Sequence, residues 1–172
     1  MATTTAQRNH AVKVMEMMYI FRSRLQYPPG DQRSSRDSFS WWLSESQMHS
    51  HLSAGGTAQF DCSEYVPWVL RCAGLWPYPS PGYTGSHLQI WQSKGWKVYE
   101  DGRAAFPGAI VIFGGGTGHH EAIVMKADPK GGNPIVSSHG RPGLDQVPVK
   151  TMAAEQAASG HPGVRYLSIS HL

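Results

Sequence analysis

The chain has 172 residues, with hydrophobic residues at 40 % and aromatic residues at 10 %; this is enough for a self-supporting core and excludes an intrinsically disordered segment. Its formal charge of +3, from 15 basic and 12 acidic side chains, is not gathered into any block. That excludes a strong electrostatic footprint, and no nucleic-acid partner is expected. No apolar run approaches the ~18 residues of a membrane span, so no membrane insertion is expected.

The first residues lack a basic stretch followed by an apolar one, which predicts synthesis in the cytoplasm without a signal peptide. A helical period through Val12, Met15, Met18 and Phe21 predicts a helix over 6–25, ended by Tyr27-Pro28-Pro29-Gly30. The polar segment 31–37 reads as a surface loop, and 39–52 as a short helix carrying Trp41 and Trp42. A helix is predicted over 63–73, with Asp61 or Ser63 as cap, Pro67 in its first turn and Gly74 as its stop. A Pro-rich loop follows, then a short helix over 86–94.

From there the pattern turns to strands, predicted at 96–99, 109–113, 121–126, 134–138 and 164–169, with a helical turn at 153–158. Helices first and an antiparallel sheet of about five strands second give the α+β class. There is no internal repeat and no linker, so 1–172 reads as one domain, with a helical part over 1–54 and a core over 55–172.

Only two cysteines are present, Cys62 and Cys72, which excludes a disulfide framework. On one helix their Cα atoms stand roughly 15 Å apart, against a limit of ~7 Å for a bridge, so both are expected as free thiols. Cys62 sits where a Gly-rich turn meets a helix start, a position that can lower a thiol's pKa and expose it. It reads as a nucleophile or as an inert buried thiol; Cys72, among apolar neighbours, fits the second much better.

A base for Cys62 must come from elsewhere in the fold. His120, at the start of a strand after a glycine loop, is the strongest candidate. A third polar group on the next strand would orient the ring, and His139, with Ser137 on the same face, is favoured. A metal site is not expected: His119-His120-Glu121 is not followed by a histidine at 124, and no cysteine cluster exists. The glycine run 114–118 lacks the Lys-Ser/Thr of a phosphate loop, and no cofactor is expected.

Thiol on a helix, histidine on a strand, polar residue on the adjacent strand is the papain-like order. Gly55-Gly56 with Phe60-Asp61-Cys62-Ser63, then Phe106-Pro107-Gly108-Ala109-Ile110-Val111-Ile112-Phe113, then His120-Glu121-Ala122-Ile123-Val124 resemble segments of the NlpC-type peptidoglycan cysteine peptidases, in order and at similar spacing. The Ser138-His139-Gly140 ending resembles the N-terminal peptidase domains of endolysins from phages of actinobacteria. Glu64 and Ala109 depart from the family's Gly and Asp, and the Tyr that precedes Gly-Gly in the family is missing.

The resemblance implies a papain-like NlpC-type fold, Cys62 as nucleophile, His120 as base and His139 as third residue, with Asp61 and Ser63 binding the free amine of a stem peptide. It further implies a peptidoglycan hydrolase of endolysin type, acting as a monomer on the bacterial wall after release through a holin-type route. The bond implied is D-glutamyl–meso-diaminopimelate. A muramoyl-alanine amidase of CHAP type and a non-catalytic wall-binding module are the rivals.

Overall fold

The computed structural model describes residues 4–28, 39–76, 78–93 and 95–167. The expected loop at 31–37, the breaker Pro29-Gly30, Lys94 and the end of the last expected strand lie outside them. Helix α1 (Thr5–Ile20) opens on a capping box, in which Thr4 and Gln7 satisfy each other's backbone N–H groups. It is shorter than the apolar period implies. After a 3-10 turn at Arg22–Arg24 the chain extends into β1 (Leu25–Gln26), which pairs in parallel with β2 (Ala58–Gln59). Leu25 is still buried, now as a strand residue.

The single helix expected over 39–52 is two, α2 (Phe39–Trp42) and α3 (Glu45–Ser53). Ser44 breaks them apart because it caps α3 and exchanges hydrogen bonds with Gln47. Helix α4 (Cys62–Cys72) is buried at every position from Cys62 to Leu70. It begins one residue earlier than expected, which moves Pro67 out of the first turn; the ring costs the hydrogen bond that the Ser63 carbonyl would otherwise accept. Helix α5 (Thr84–Ser93) follows the Pro-rich loop, and α6 (Val149–Ala158) is longer than the expected turn.

Among the described residues the main sheet has six strands: β3 (Val98–Tyr99), β4 (Ile110–Phe113), β5 (His120–Lys126), β6 (Ile135–Gly140), β7 (Gly143–Pro148) and β8 (Val164–Leu167), in the order β3-β8-β4-β5-β6-β7. All neighbours are antiparallel. β7 is the strand the sequence does not announce. As an edge strand carrying Asp145, Gln146 and Pro148 it has the polar, Pro-containing character of an exposed edge.

Strand alternation divides the sheet into two faces. Ile110, Ile112, Ile123, Leu144 and Leu167 join α1, α3 and α4 in the larger core, while Val111, Phe113, Ala122, Val124 and Val136 pack with Val149 and Met152 of α6. The α+β expectation is met, with helices on an antiparallel sheet. No helix of the described residues is long and apolar enough to cross a membrane.

Cys62 and Cys72 are both free, as expected. Cys72 is half-buried against the larger core. Cys72→Ala is therefore expected to cost ~1–2 kcal/mol in urea unfolding, the scale of losing a small apolar contact. A loss above that scale would mean the thiol does more than pack.

Candidate functional site

The start of α4 is built by its own sequence. Asp61 Oδ1 accepts the Glu64 N–H at 2.9 Å and the Ser63 hydroxyl at 2.8 Å, and Glu64 Oε2 accepts the Asp61 N–H at 3.3 Å. Glu64, which departs from the glycine of the resembled family, thus closes a capping box. Asp61 and Ser63, the pair that the resemblance assigns to a free amine, are hydrogen-bonded to each other, and much of their capacity holds the helix start.

Cys62 is the first helical residue and is only 7 % exposed. Its Sγ lies 3.9 Å from the Tyr27 hydroxyl, which donates to it, and 4.0 Å from Thr84 Oγ1 at the start of α5. The backbone N–H of Glu121 also faces it. Burial pushes the thiol up to about 12, helped by the charges of Glu121 and Asp61 and only partly offset by the Glu121 N–H and the Tyr27 hydroxyl. This corrects the expectation of an exposed, acidified thiol. The helix end favours the thiolate, but desolvation and two carboxylates outweigh it.

His120 opens β5 on the other face of the sheet. Its ring stacks with Phe113 at 6.0 Å, and its Nε2 shares a 2.8 Å hydrogen bond with Ser138 Oγ. No hydrogen bond joins it to Cys62 among the described residues. The parity follows from the register: Ile123 pairs with Ser137, so even-numbered His120 and Ser138 share one face and odd-numbered Glu121, Ser137 and His139 share the other. The neighbour expected to lie beside His120, His139, faces the helices instead. Its Nε2–H donates to the Gln26 carbonyl at 3.2 Å, and its ring meets Tyr27 and Tyr65 edge-on. Ser137 is bound to the Tyr65 hydroxyl at 2.7 Å.

Tyr27 connects the two faces. It touches the Cys62 sulfur and also lines a cavity of about 390 Å³ that contains His120, Ser138, Gly140, Arg141 and Glu155. Sequence reasoning missed Tyr27, because it lies far upstream of Gly-Gly rather than before it. Ser138 is selected only by the β5–β6 register, and Thr84, His87 and Glu121 are brought in only by packing.

Burial lowers the His120 pKa to about 4, with repulsion from His119 and His139 adding to the effect. At neutral pH the ring is therefore neutral and able to accept a proton. Between its ordinary value of 6.5 and about 4, the unfolded chain binds a proton at this ring that the folded chain does not. Stability contributed above pH 6.5 is thus lost as pH falls across that window, by on the order of 3 kcal/mol. His139, lowered chiefly by burial, acts in the same direction, and His87, which is raised, acts in the opposite one. Urea unfolding at pH 7 and pH 4.5 should show a smaller pH-dependent drop in His120→Asn than in wild type; an equal drop would assign the effect to other groups. Among the described residues, no group of three or more His, Cys, Asp or Glu side chains is placed to hold a metal ion.

No family model matches the sequence, and no curated protein matches it. Among solved structures, the chain is similar to one described as the structure of NlpC2 from Trichomonas vaginalis, with 15 % identity over 84 % of this chain and a TM-score of 0.41. The chain spans 42 % of that protein's length. The overlap is too loose to carry any residue's role across.

Proposed function

We propose that the protein is a cysteine hydrolase of amide bonds in bacterial wall peptides, with Cys62 as nucleophile and His120 as base. One observation carries the reading: the Cys62 sulfur, at a helix N-terminus, faces the backbone N–H of Glu121, the residue next to His120. Thiol and imidazole thus reach the same end of β5 from the two faces of the sheet.

The resting pair is a neutral thiol and a neutral imidazole, so the proton moves during attack rather than before it. Cys62 Sγ adds to the carbonyl carbon as its proton is relayed to the His120 ring across the edge of the sheet, with the Tyr27 hydroxyl, which touches the sulfur and lines the cavity that holds His120, as the group available to carry it. That ring then protonates the departing amine, and water hydrolyses the thioester. Of the first-turn N–H groups of α4, that of Glu64 is taken by Asp61 Oδ1, so those of Cys62 and Ser63 are the ones that can hold the oxyanion. Ser138, hydrogen-bonded to His120, takes the orienting role that the resemblance assigns to His139.

The D-glutamyl–meso-diaminopimelate bond, action as a monomer and an endolysin's release from the host cytoplasm belong to this proposal through the sequence resemblance. Asp61 and Ser63, beside the thiol, are the groups available for a free amine. Mass spectrometry of fragments released from purified peptidoglycan tests the reading. New amino termini at diaminopimelate support it, and stem peptides released from muramic acid with a free amino-terminal alanine would make the enzyme an amidase. Binding without any release would leave a wall-binding module.

A further inference from the structure

Helix α5 and strand β5 meet behind the Cys62 sulfur in a pair of charged side chains that the proposed reaction does not use. His87 and Glu121 are both fully buried, with His87 Nδ1 at 2.8 and 3.0 Å from the two carboxylate oxygens. The other ring nitrogen, Nε2, lies 2.6 Å from the Pro81 carbonyl, which can only accept. That carbonyl fixes one proton on Nε2, so a donating Nδ1 makes the ring an imidazolium. Burial pulls the His87 pKa down, but the charge and hydrogen bond of Glu121 and the Pro81 carbonyl outweigh it and raise it.

The loop before α5 is shaped for this contact. A Cβ on Gly82 would come within 2.8 Å of His87 Nε2, at a φ of +77° that side chains rarely adopt. Two charges taken fully out of water are costly, and a pair of apolar side chains would fill the space at no such cost. What the pair adds lies next to it. Glu121 faces Sγ through its backbone N–H, and Thr84, one turn before His87 on α5, stands 4.0 Å from the same sulfur.

We propose that the His87–Glu121 pair is a positioning element for Cys62: Glu121 fixes the sulfur from β5, and His87 neutralises the Glu121 carboxylate from α5 so that negative charge can develop on the sulfur beside it. The proposal rests on Cys62 as the reactive thiol. The titratable groups that face the sulfur are Asp61 from its own helix start, Glu121 from β5 and Tyr27 from the segment after β1. His87 acts through Glu121.

The test is the rate of iodoacetamide alkylation of Cys62 at pH 8, in a Cys72→Ala background, across Glu121→Gln, His87→Gln and the double variant. Below its midpoint the rate tracks the thiolate fraction. Glu121→Gln removes the negative charge that weighs most on the sulfur and should speed alkylation about tenfold, while His87→Gln leaves that charge uncompensated and should slow it about tenfold, one pH unit each way. The double variant should match Glu121→Gln, because His87 is neutral at that pH once the carboxylate is gone. A merely structural pair would loosen the site in both single variants and speed both. Rates that move in the same direction, or do not move, overturn the proposal.

If His87→Gln does not fold, Glu121→Gln decides: faster alkylation with unchanged hydrogen exchange in α4 supports the proposal, and any other result overturns it. Alkylation reads the thiol and not hydrolysis. Wild-type protein that releases no wall fragments, yet shows the opposed shifts, would sink the peptidase reading and leave the pair's role standing.

Discussion

Cys62→Ala is expected to abolish release of fragments from purified peptidoglycan, by a factor of at least about 10⁴, while the far-ultraviolet spectrum stays that of wild type. Loss of a nucleophile leaves only what binding and oxyanion contacts supply, and hydrolases that use a nucleophile–histidine pair lose rates on that scale. The side chain is small and its polar contacts are long, at 3.9 Å to Tyr27 and 4.0 Å to Thr84, so little packing goes with it. Cys62→Ser keeps a hydroxyl in nearly the same place and should be equally dead, because the neutral ring of His120 is too weak a base for an alcohol. Wild-type turnover in the serine variant, blocked by EDTA, would move the chemistry to a metal.

His120→Ala should lower kcat by about three orders of magnitude, and His119→Ala by no more than a few-fold. The two are neighbours in sequence with opposite surroundings. His120 is buried on Ser138, whereas His119 is exposed and stacks on His161 with ring centres 3.4 Å apart. Ser138→Ala should fall between them, at about tenfold to a hundredfold, because the base remains and only its orientation is released. His139→Ala should show first as lost stability, since the ring fills a buried site between Tyr27 and Tyr65. If single-turnover rates rank His119 above His120, or His139 above Ser138, the base has been placed on the wrong face.

The parts of this arrangement that the sequence announces are those with local causes. Asp61 and Glu64 mark the start of α4 three residues apart, and β-branched runs mark β4 and β5. Ser44 and Gln47 mark the start of α3 in the same way, a signal masked by the apolar Trp41 and Trp42 before it. β7 escapes notice because an edge strand need not alternate, and β1 because two residues paired to a distant segment carry no period of their own.

Within the site, Cys62 and His120 are each legible from their flanks. The partner of His120 is not, since choosing Ser138 over Ser137 or His139 requires the β5–β6 register. That register shifts at a bulge between Val124 and Lys126, which no rule of spacing reveals. Tyr27 comes from the segment after β1 and Thr84 and His87 from α5, and only the folded core brings the first two to the sulfur and the third to Glu121.

The position of β8 sets the order in which the molecule can be made. Residues 164–167 lie between β3 and β4, so the growing chain on the ribosome exposes the edge of β4 until nearly all of the described chain has emerged. β3 has no other neighbour in the sheet and cannot dock before then. Until that strand arrives, the apolar row Ile110–Phe113 is open on one side, ready to pair with another nascent chain. Solubility during synthesis therefore depends on how quickly four late residues find a gap left for them some fifty residues earlier, a search whose rate is governed by loop closure.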